Sequence, residues 1–207
     1  MRRAGVTQAQ LETLAAAGAL DPVGEDVPGS VTSLRRRLLW GAGAAAMGTP
    51  DRLPGVVVGA EAPPLPEPSL YDSVGDDLWA LGLAPERTAM HLARERLEAM
   101  GVVTAAALES SSFGDGDRAV VAGVVTHRQH PETARGAVFL NLEDETGHVN
   151  VVFSRGAWAR WKHVARHTPV LLIRGRVRKG QGAVSFDAER VEALVVGTAV
   201  PASRDFR

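Results

Sequence analysis

Asp115 and Asp117 have the Asp-x-Asp spacing with which two carboxylates can hold Mg²⁺ for phosphoryl transfer. They lie in a run rich in Ser, Gly and Asp, residues 110–117, and such a run predicts a loop. Metal-assisted transfer also needs a further carboxylate fixed on a rigid element, and none stands on a predicted strand beside this pair. We therefore predict no catalytic site here.

His163 and His167 stand four positions apart on a predicted helix, a spacing that can hold zinc. The metalloprotease motif requires an acidic residue directly after the first histidine, and none follows His163. Both imidazoles are therefore expected to face solvent or phosphate. The acidic run at residues 143–145 leads into Thr146 and Gly147, which predicts a turn whose Asp caps backbone amides. The chain has neither a Gly-x4-Gly-Lys phosphate loop nor a Gly-x-Ser-x-Gly nucleophile elbow. We predict no catalytic residue, no metal and no cofactor.

Three arginines, Arg174, Arg176 and Arg178, alternate with apolar or small residues in a run that predicts a strand. Successive strand residues point to opposite faces, so the three guanidinium groups are expected on one outer face of a sheet. Guanidinium groups bind phosphate oxygens through a fork of donors, and the pattern therefore predicts contact with a nucleic-acid backbone. A merely solvated outer face would have the same pattern, and that alternative stays open.

Phe139 and Asn141 alternate with aliphatic residues on another predicted strand, so both are expected to face outward. An outward Phe can stack on a base, which is worth roughly 1–3 kcal/mol per base. Asn150, on the following strand, is expected on the same surface, where its amide can donate to and accept from a base edge. Arg128 is expected to add a contact near the first loop. The alternative for Phe139 is that it packs beneath the helical part of the chain.

These side chains need a small closed sheet to bring them together. Alternation and turn residues predict five strands, at residues 118–128, 137–143, 148–154, 170–178 and 183–194, with one helix at 155–167. Strands in this order, with the helix between the third and fourth, are typical of the five-stranded Greek-key barrel called the OB-fold. Trp158 and Trp161 on that helix are expected to plug the barrel bottom. The predicted fold class is α+β, with helical segments before the barrel.

Composition divides the rest of the chain. Prolines are concentrated at residues 50–68, which favours extended backbone and predicts a linker. Capping residues and helical periodicity predict helices after Thr7, from about Ser33, and at about residues 69–81 and 85–100. The predicted segments are a helical segment 1–49, the linker 50–68, a helical segment 69–109, the barrel 117–195 and a tail 196–207.

Charge is unevenly distributed along a chain whose net charge is −1. Residues 1–117 have 9 Lys and Arg against 16 Asp and Glu, whereas residues 118–190 have 12 against 6. A basic barrel beside an acidic front half suggests that only the barrel meets a polyanion. The chain has no cysteine, no apolar run of the roughly 20 residues that cross a bilayer and no secretion signal, so we expect a cytoplasmic protein.

The segment GVVTHRQHPETARGAVFLNLEDETGHVNVVFSRGAWARWKHVARHTPVLLIRGRV resembles the C-terminal barrel of the bacterial error-prone DNA polymerase III alpha subunit, a damage-tolerant C-family polymerase. DLWALGLAPERTAMHLARERLEAMGV resembles the helical segment before that barrel. QAQLETLAAAGAL and RRRLLWGAGAAA resemble the end of the family's helix-hairpin-helix region. More broadly, the barrel is similar to the anticodon-binding type of class II aminoacyl-tRNA synthetases, in which the positions matching Phe139 and Asn150 contact bases. Gln is usual at the second position.

The resemblance implies a DNA partner in lesion bypass and repair synthesis, beside other damage-response polymerase components. Polymerases of this family are several times longer, and their nucleotidyl-transfer carboxylates lie upstream of the matched region. We therefore expect a C-terminal part of such a polymerase, with a partial helix-hairpin-helix motif and no polymerase activity of its own, that binds single-stranded DNA. Two alternatives stay open: a barrel that docks another repair protein without touching DNA, and an accessory part of a split polymerase acting in trans.

Overall fold

Three helices make up the first of two compact units into which the computed structural model divides, residues 1–84 and 85–207. The structure describes residues 6–24, 30–46, 61–85, 87–110, 112–180, 183–198, 200 and 203–206. The helices of the first unit are α1 (Gln8–Ala16), α2 (Val31–Ala46) and α3 (Leu70–Leu81), with a 3-10 turn at Asp21–Gly24. Within the described ranges, no helix is long and apolar enough to span a lipid bilayer.

Side-chain caps fix where α1 and α3 begin. Thr7 Oγ1 accepts a hydrogen bond from the Gln10 amide at 3.3 Å, and Gln10 Oε1 accepts one from the Thr7 amide at 2.9 Å. This reciprocal pair is the predicted capping box, and it satisfies two amides that have no partner within the helix. Ser69 and Asp72 make the same arrangement at the start of α3.

The described end of the predicted Pro-rich linker contacts α2. Glu67 accepts hydrogen bonds from Ser33 Oγ at 2.7 Å and Ser30 Oγ at 3.0 Å, and these bonds lower the pKa of Glu67 below its ordinary value. Arg36 Nη1 donates to the carbonyl oxygen of Pro66 at 2.8 Å. Residues 61–68 therefore belong to the first unit, whereas residues 50–60 of that linker lie outside the described residues.

The second unit holds the barrel and the helices around it. Its helices are α4 (Ala89–Ala99), α5 (Ala105–Glu109) and α6 (Arg155–His167); its strands are β1 (Arg118–Gln129), β2 (Val138–Glu143), β3 (His148–Phe153), β4 (Val170–Gly180), β5 (Ala183–Ala193) and β6 (Arg204–Phe206). The helical segment predicted as one piece at 69–109 divides between the units, because α3 lies in the first and α4 and α5 in the second. At five residues, α5 is too short for helical periodicity to indicate it.

The predicted five-stranded OB barrel is confirmed. The strands are ordered β2-β3-β5-β4-β1, and β1 also pairs with β2, which closes the ring. The long strand β1 achieves this by pairing with β4 over its first half and with β2 over its second half. Where it passes between them, a Cβ on Gly123 would lie 2.8 Å from the carbonyl oxygen of Glu143. Only glycine fits so close to the neighbouring backbone, and a glycine inside a strand often marks such a bend in a barrel.

The inward side chains fill the barrel as alternation predicted. Leu140, Val151 and Ile173 are among the residues of this core that are fully buried. Helix α6 covers one end: Trp158 meets Phe153 edge to face at 5.7 Å between ring centroids, and both tryptophans of the helix pack against the core. The predicted structural role of Trp158 and Trp161 is therefore confirmed.

Helix α4 packs on the outside of β1 and β4. Its Met90, Ala93 and Leu97 are buried against Ala122 and Leu172 in a second apolar cluster. A charged contact fixes the same helix, because Arg94 binds both carboxylate oxygens of Glu145 in the turn between β2 and β3. Burial works against the charge on Arg94, but the Glu145 hydrogen bond and the nearby carboxylates prevail and raise its pKa above the ordinary value.

The segment after β5 contributes to the fold. Val196 is buried in the cluster beneath α4, and β6 pairs in parallel with β1 at residues 127–129. The residues predicted to be a simple tail, 196–207, thus include a sixth strand beside the barrel. Three residues are too few for alternation to indicate a strand, so the sequence does not reveal it.

Candidate nucleic-acid interface

The outward side chains of the second half of β1, of β2 and of β3 form one surface, which we name the Phe139 face. Its members are His127, Gln129, Phe139, Asn141, Asn150 and Val152. Phe139 lies across from Gln129 on one side and from Val152 on the other. Its side chain is exposed, at 37% of its full accessible area, so a planar ligand group can reach the ring.

A row of amides lies next to Phe139. Asn141 pairs across the sheet with Asn150 on β3 and with His127 on β1. Asn150 is exposed, whereas Asn141 is half-buried, and its Oδ1 is itself buried and accepts no hydrogen bond from the described residues. Amides and an imidazole can together donate to and accept from the edge of a base. The row therefore offers hydrogen bonds beside a ring that offers stacking.

The two ends of the Phe139 face differ in charge. At one end Glu143 and His148 lie across from each other, with 3.9 Å between carboxylate oxygen and imidazole nitrogen. At the other end, closer to Phe139, three exposed basic residues stand in the β1–β2 loop and at the start of α6: His130, Arg135 and Arg155. No ion pair of these three with a carboxylate exists among the described residues. This end of the face is therefore the one that suits a phosphate.

Backbone geometry holds Arg135 in an unusual conformation. Its φ is 51°, in the left-handed region, where residues other than Gly, Asn and Asp are uncommon. Gly136 follows with φ of 84°, and a Cβ there would lie 3.5 Å from Cγ and Cδ of Arg155. The stem of Arg155 thus passes over Gly136. The close approach brings the two arginines to the same corner of the Phe139 face.

The three predicted phosphate-binding arginines of β4 face outward, but on another side of the barrel. Around the ring, β1 separates β4 from β2 on one side, and β3 and β5 separate them on the other. Arg176 Nε bonds to Glu189 at 2.8 Å, and Arg178 Nε bonds to Asp187 at 2.8 Å, which raises the pKa of Arg178 above its ordinary value. Arg174 is exposed and lies across from Arg190. The structure therefore does not bring this trio together with Phe139.

Arg128, which we expected near the first loop as a nucleic-acid contact, is buried, with 8% of its surface exposed. A register shift between Val125 and His127 turns the strand so that Arg128 lies across from the inward Leu140. Its guanidinium group donates to the carbonyl oxygens of Ala165 at 2.9 Å and Thr168 at 3.1 Å, at the C-terminal end of α6. A cation is stabilised there by the helix dipole. We therefore leave Arg128 out of the candidate interface.

The acidic residues considered for catalysis bind backbone amides. Asp117 Oδ2 accepts from the Gly114 amide at 2.7 Å, and Asp115 Oδ1 accepts from the Lys179 amide at 3.0 Å. Asp144 caps its turn through the Thr146 and Gly147 amides, as predicted, and its second oxygen accepts from the first amide of α5. Among the residues that the structure describes, no three His, Asp or Glu side chains are grouped to hold a metal ion.

Four members of this site were missed by sequence reasoning. His127 and Gln129 reach the face only because of the register shift in β1, which simple alternation does not indicate. Arg135 and Arg155 lie outside the predicted strands, and only the fold brings their segments together. A usable signal existed for Arg135 alone: Gly136 favours a turn directly before the strand that holds Phe139.

Comparison with known proteins agrees with this geometry. Residues 119–194 match the family described as the OB-fold nucleic acid binding domain. The error-prone DNA polymerase of Mycobacterium tuberculosis (strain ATCC 25618 / H37Rv) is 48% identical over 198 residues, which are 96% of this chain and 17% of that protein. The error-prone DNA polymerase of Corynebacterium glutamicum is 44% identical over 207 residues, which are 100% of this chain and 19% of that protein.

Among solved structures, the hypothetical protein ygiW from E. coli matches 45% of this chain and 89% of its own, at 22% identity. Its TM-score is 0.36, and at that value the likeness supports no argument. The chain spans less than a fifth of the length of the polymerases it matches. The barrel of this chain therefore matches the OB-fold nucleic acid binding domain family, and nearly the whole chain is similar to the C-terminal region of error-prone DNA polymerases.

Proposed function

We propose that the chain binds single-stranded nucleic acid, and single-stranded DNA in particular, on the Phe139 face. The observation that carries this proposal is an exposed aromatic ring on an OB-barrel surface, with an amide row on one side and two arginines at the nearest corner. Stacking on an aromatic ring requires a base that is free of a duplex, which is why the proposed ligand is single-stranded.

Each part of the face has a separate role. Phe139 stacks on one base, and Asn141 and Asn150 bond to the edge of that base or of its neighbour. Arg135 and Arg155 hold the phosphates on either side of the stacked base, because their guanidinium groups are exposed at the corner closest to the ring. The strand then runs from this basic corner towards Glu143, where the carboxylate limits how far the backbone extends.

The arginines of β4 receive a smaller part in this proposal than their sequence pattern suggested. Arg176 and Arg178 are bonded to carboxylates of β5, and a phosphate would have to compete with those partners. Exposed ion pairs of this kind contribute only about 0–1 kcal/mol, so a phosphate can displace them but gains little by doing so. These two arginines are therefore secondary contacts at most.

Homology supports a role for this binding within a polymerase. The matched relatives are named error-prone DNA polymerases, and we propose that this chain supplies the nucleic-acid-binding barrel of such an enzyme during synthesis past damaged template. Nucleotidyl transfer is not assigned to this chain. The role implies a cytoplasmic location and contact with other damage-response polymerase components.

A fluorescence-anisotropy titration tests the binding proposal. The probe is a labelled oligothymidine of about 15 nucleotides, within the length that one OB barrel can cover. We expect Phe139→Ala to weaken binding roughly 10- to 100-fold, the equivalent of about 1–3 kcal/mol for the removal of one stacked base. Phe139→Trp is the matched control and should bind at least as well as the original chain. Equal affinities for the original chain and Phe139→Ala would overturn the proposal.

Protein docking is the second candidate, and one observation favours it. Phe139 and Val152 form an apolar pair on the sheet surface, while Arg176 and Arg178 are engaged by carboxylates of the same barrel. If the Phe139 face binds protein instead of nucleic acid, the oligothymidine titration should show no saturable binding at any salt concentration. That result would leave docking as the better explanation of this surface.

A further inference from the structure

Helix α6 presents a solvent face that is rich in positive charge and has no acidic residue. Six of its exposed side chains are basic or imidazole: Arg155, Arg160, Lys162, His163, Arg166 and His167. The sequence contains no Asp or Glu from residue 154 to residue 186. In the described part of the chain, no carboxylate lies within ion-pair distance of an Arg or Lys of α6. The charge of this helix face is therefore left uncompensated.

Three of the cations lie in one line along the helix. Arg155, Lys162 and Arg166 are separated by seven and four residues, which is two turns and one turn of an α-helix. At a rise of about 1.5 Å per residue the line is roughly 16 Å long. Ala159 is exposed in the gap of this line, and Gly156 is exposed beside it. A methyl group and a glycine are both too small to obstruct a ligand. The result is a straight basic ridge with a low centre.

Stacking on tryptophan rings restrains two arginines of α6, one of which, Arg166, belongs to the ridge. The guanidinium carbon of Arg166 lies 5.4 Å from the centre of the Trp158 ring, and that of Arg160 lies 5.3 Å from the centre of the Trp161 ring. Trp161 is in turn held by a hydrogen bond from its indole nitrogen to the carbonyl oxygen of Glu189. Guanidinium groups that stack on fixed rings lose little further freedom when they bind an anion.

We infer that the solvent face of α6 is a second nucleic-acid contact, which binds the phosphate backbone without reading bases. A protein partner would need apolar or aromatic side chains exposed on the helix, and the exposed residues of α6 other than Arg, Lys and His are only Gly156 and Ala159. Base stacking is also excluded as the main contact, because Trp158 and Trp161 are half-buried against the barrel core. Phosphates match the charge of this surface and need no stacking or apolar contact.

The ridge and the Phe139 face suit different forms of nucleic acid, duplex and single strand. Phe139 requires unpaired bases, whereas the ridge requires only phosphates and accepts a duplex. A chain with both surfaces can hold a single strand on the barrel and neighbouring duplex along α6. The ridge does not depend on the proposed function of Phe139, since Arg155 is the one side chain that the two surfaces share and Lys162 and Arg166 belong to the ridge alone.

The test measures binding of a labelled duplex of mixed sequence to Lys162→Gln/Arg166→Gln and to a matched control, Arg118→Gln/Arg190→Gln. The control removes the same charge from exposed arginines outside α6. We expect the α6 variant to bind duplex at least about tenfold more weakly than the original chain. The slope of log binding constant against log salt concentration should become shallower by up to about 0.9 for each phosphate that the variant no longer neutralises. Phe139→Ala should leave duplex binding unchanged.

Two results would overturn the inference. One is equal duplex affinity and equal salt dependence in the α6 variant and the control. The other is displacement of the labelled duplex by polyglutamate at concentrations at which unlabelled duplex does not displace it. That result would identify an acidic protein as the partner. Because Arg166 and Arg160 stack on Trp158 and Trp161, duplex binding should also change tryptophan fluorescence in the original chain, and the α6 variant should need more duplex for a smaller change.

Discussion

At the scale of single residues, Phe139 has the surroundings that its spacing predicts and Arg128 does not. Phe139 is exposed on an outer strand face, as its alternation with aliphatic residues predicts. Arg128 has the charge of a phosphate ligand, yet it is buried and bonded to carbonyl oxygens at the end of α6. The type of a residue therefore determines which interactions its side chain can make. The register of its strand determines whether a ligand can reach that side chain.

Arg135 provides a prediction in which stability and binding separate. A non-glycine residue with φ of 51° carries about 1 kcal/mol of strain that glycine would not. We expect Arg135→Gly to leave the unfolding temperature unchanged or slightly higher, because that gain is offset in part by the freedom of glycine in the unfolded chain. Binding of oligothymidine should weaken severalfold, because glycine cannot bind the phosphate that Arg135 holds.

Calorimetry and anisotropy on the same sample check both halves of this prediction. Arg174→Gly is unsuitable as a control, since it would place glycine inside a strand, so Arg174→Gln serves instead. If Arg135→Gly unfolds at a clearly lower temperature, Arg135 stabilises the loop. The prediction that its backbone conformation costs stability would then be wrong.

At the scale of elements, β1 and α6 explain most of the architecture of the site. β1 closes the barrel by pairing with β4 and then β2, and its register shift directs His127 and Gln129 outward and Arg128 inward. α6 seals the end of the barrel with Trp158 and accepts Arg128 at its C-terminal carbonyls. The same helix presents its other side to solvent. One element thus serves the core with one face and, as we infer, binds nucleic acid with the other.

Replacing Arg128 tests this structural role. Arg128→Leu keeps much of the side-chain volume but leaves the carbonyl oxygens of Ala165 and Thr168 without their donors. We expect the barrel to lose about 2–3 kcal/mol of unfolding free energy, measured by urea unfolding with hydrogen exchange at β1 amides as the probe. Arg174→Leu, at an exposed position on β4, is the control and should change stability little. A stable Arg128→Leu chain with impaired oligothymidine binding would instead restore Arg128 as a ligand contact.

The sequence predicts the barrel elements almost to the residue and the site only in part. Strands β2 to β5 and helix α6 are indicated because alternation, turn glycines and helical spacing all act within short windows. The side of the barrel on which a strand ends depends on pairing between distant segments. For this reason alternation places Arg174, Arg176 and Arg178 on an outer face, yet it does not indicate how far around the ring they lie from Phe139. Short pieces such as α5 and β6 have too few residues for any periodicity.

At the scale of the whole molecule, the acidic and basic parts of the chain coincide with the helical segments and the barrel. Acidic residues predominate before residue 118, and the basic excess lies in the barrel segment that matches a nucleic-acid-binding family. Within that segment, the two proposed surfaces share the corner at which Arg155 begins α6. A single strand that leaves the Phe139 face at this corner therefore meets the start of the α6 ridge. The chain would in this way hold a junction between single-stranded and duplex nucleic acid.

Amide chemical-shift mapping by NMR tests the central proposal most directly. The isotope-labelled chain is titrated with an unlabelled oligothymidine, and the shifted amides are assigned along the barrel. We predict the largest shifts at residues 127–130, 135–141 and 150–155, which form the Phe139 face and its basic corner, and small shifts at Arg174 to Arg178. Shifts confined to the outer side of β4 and β5, with Phe139 and Asn150 unaffected, would contradict the proposal.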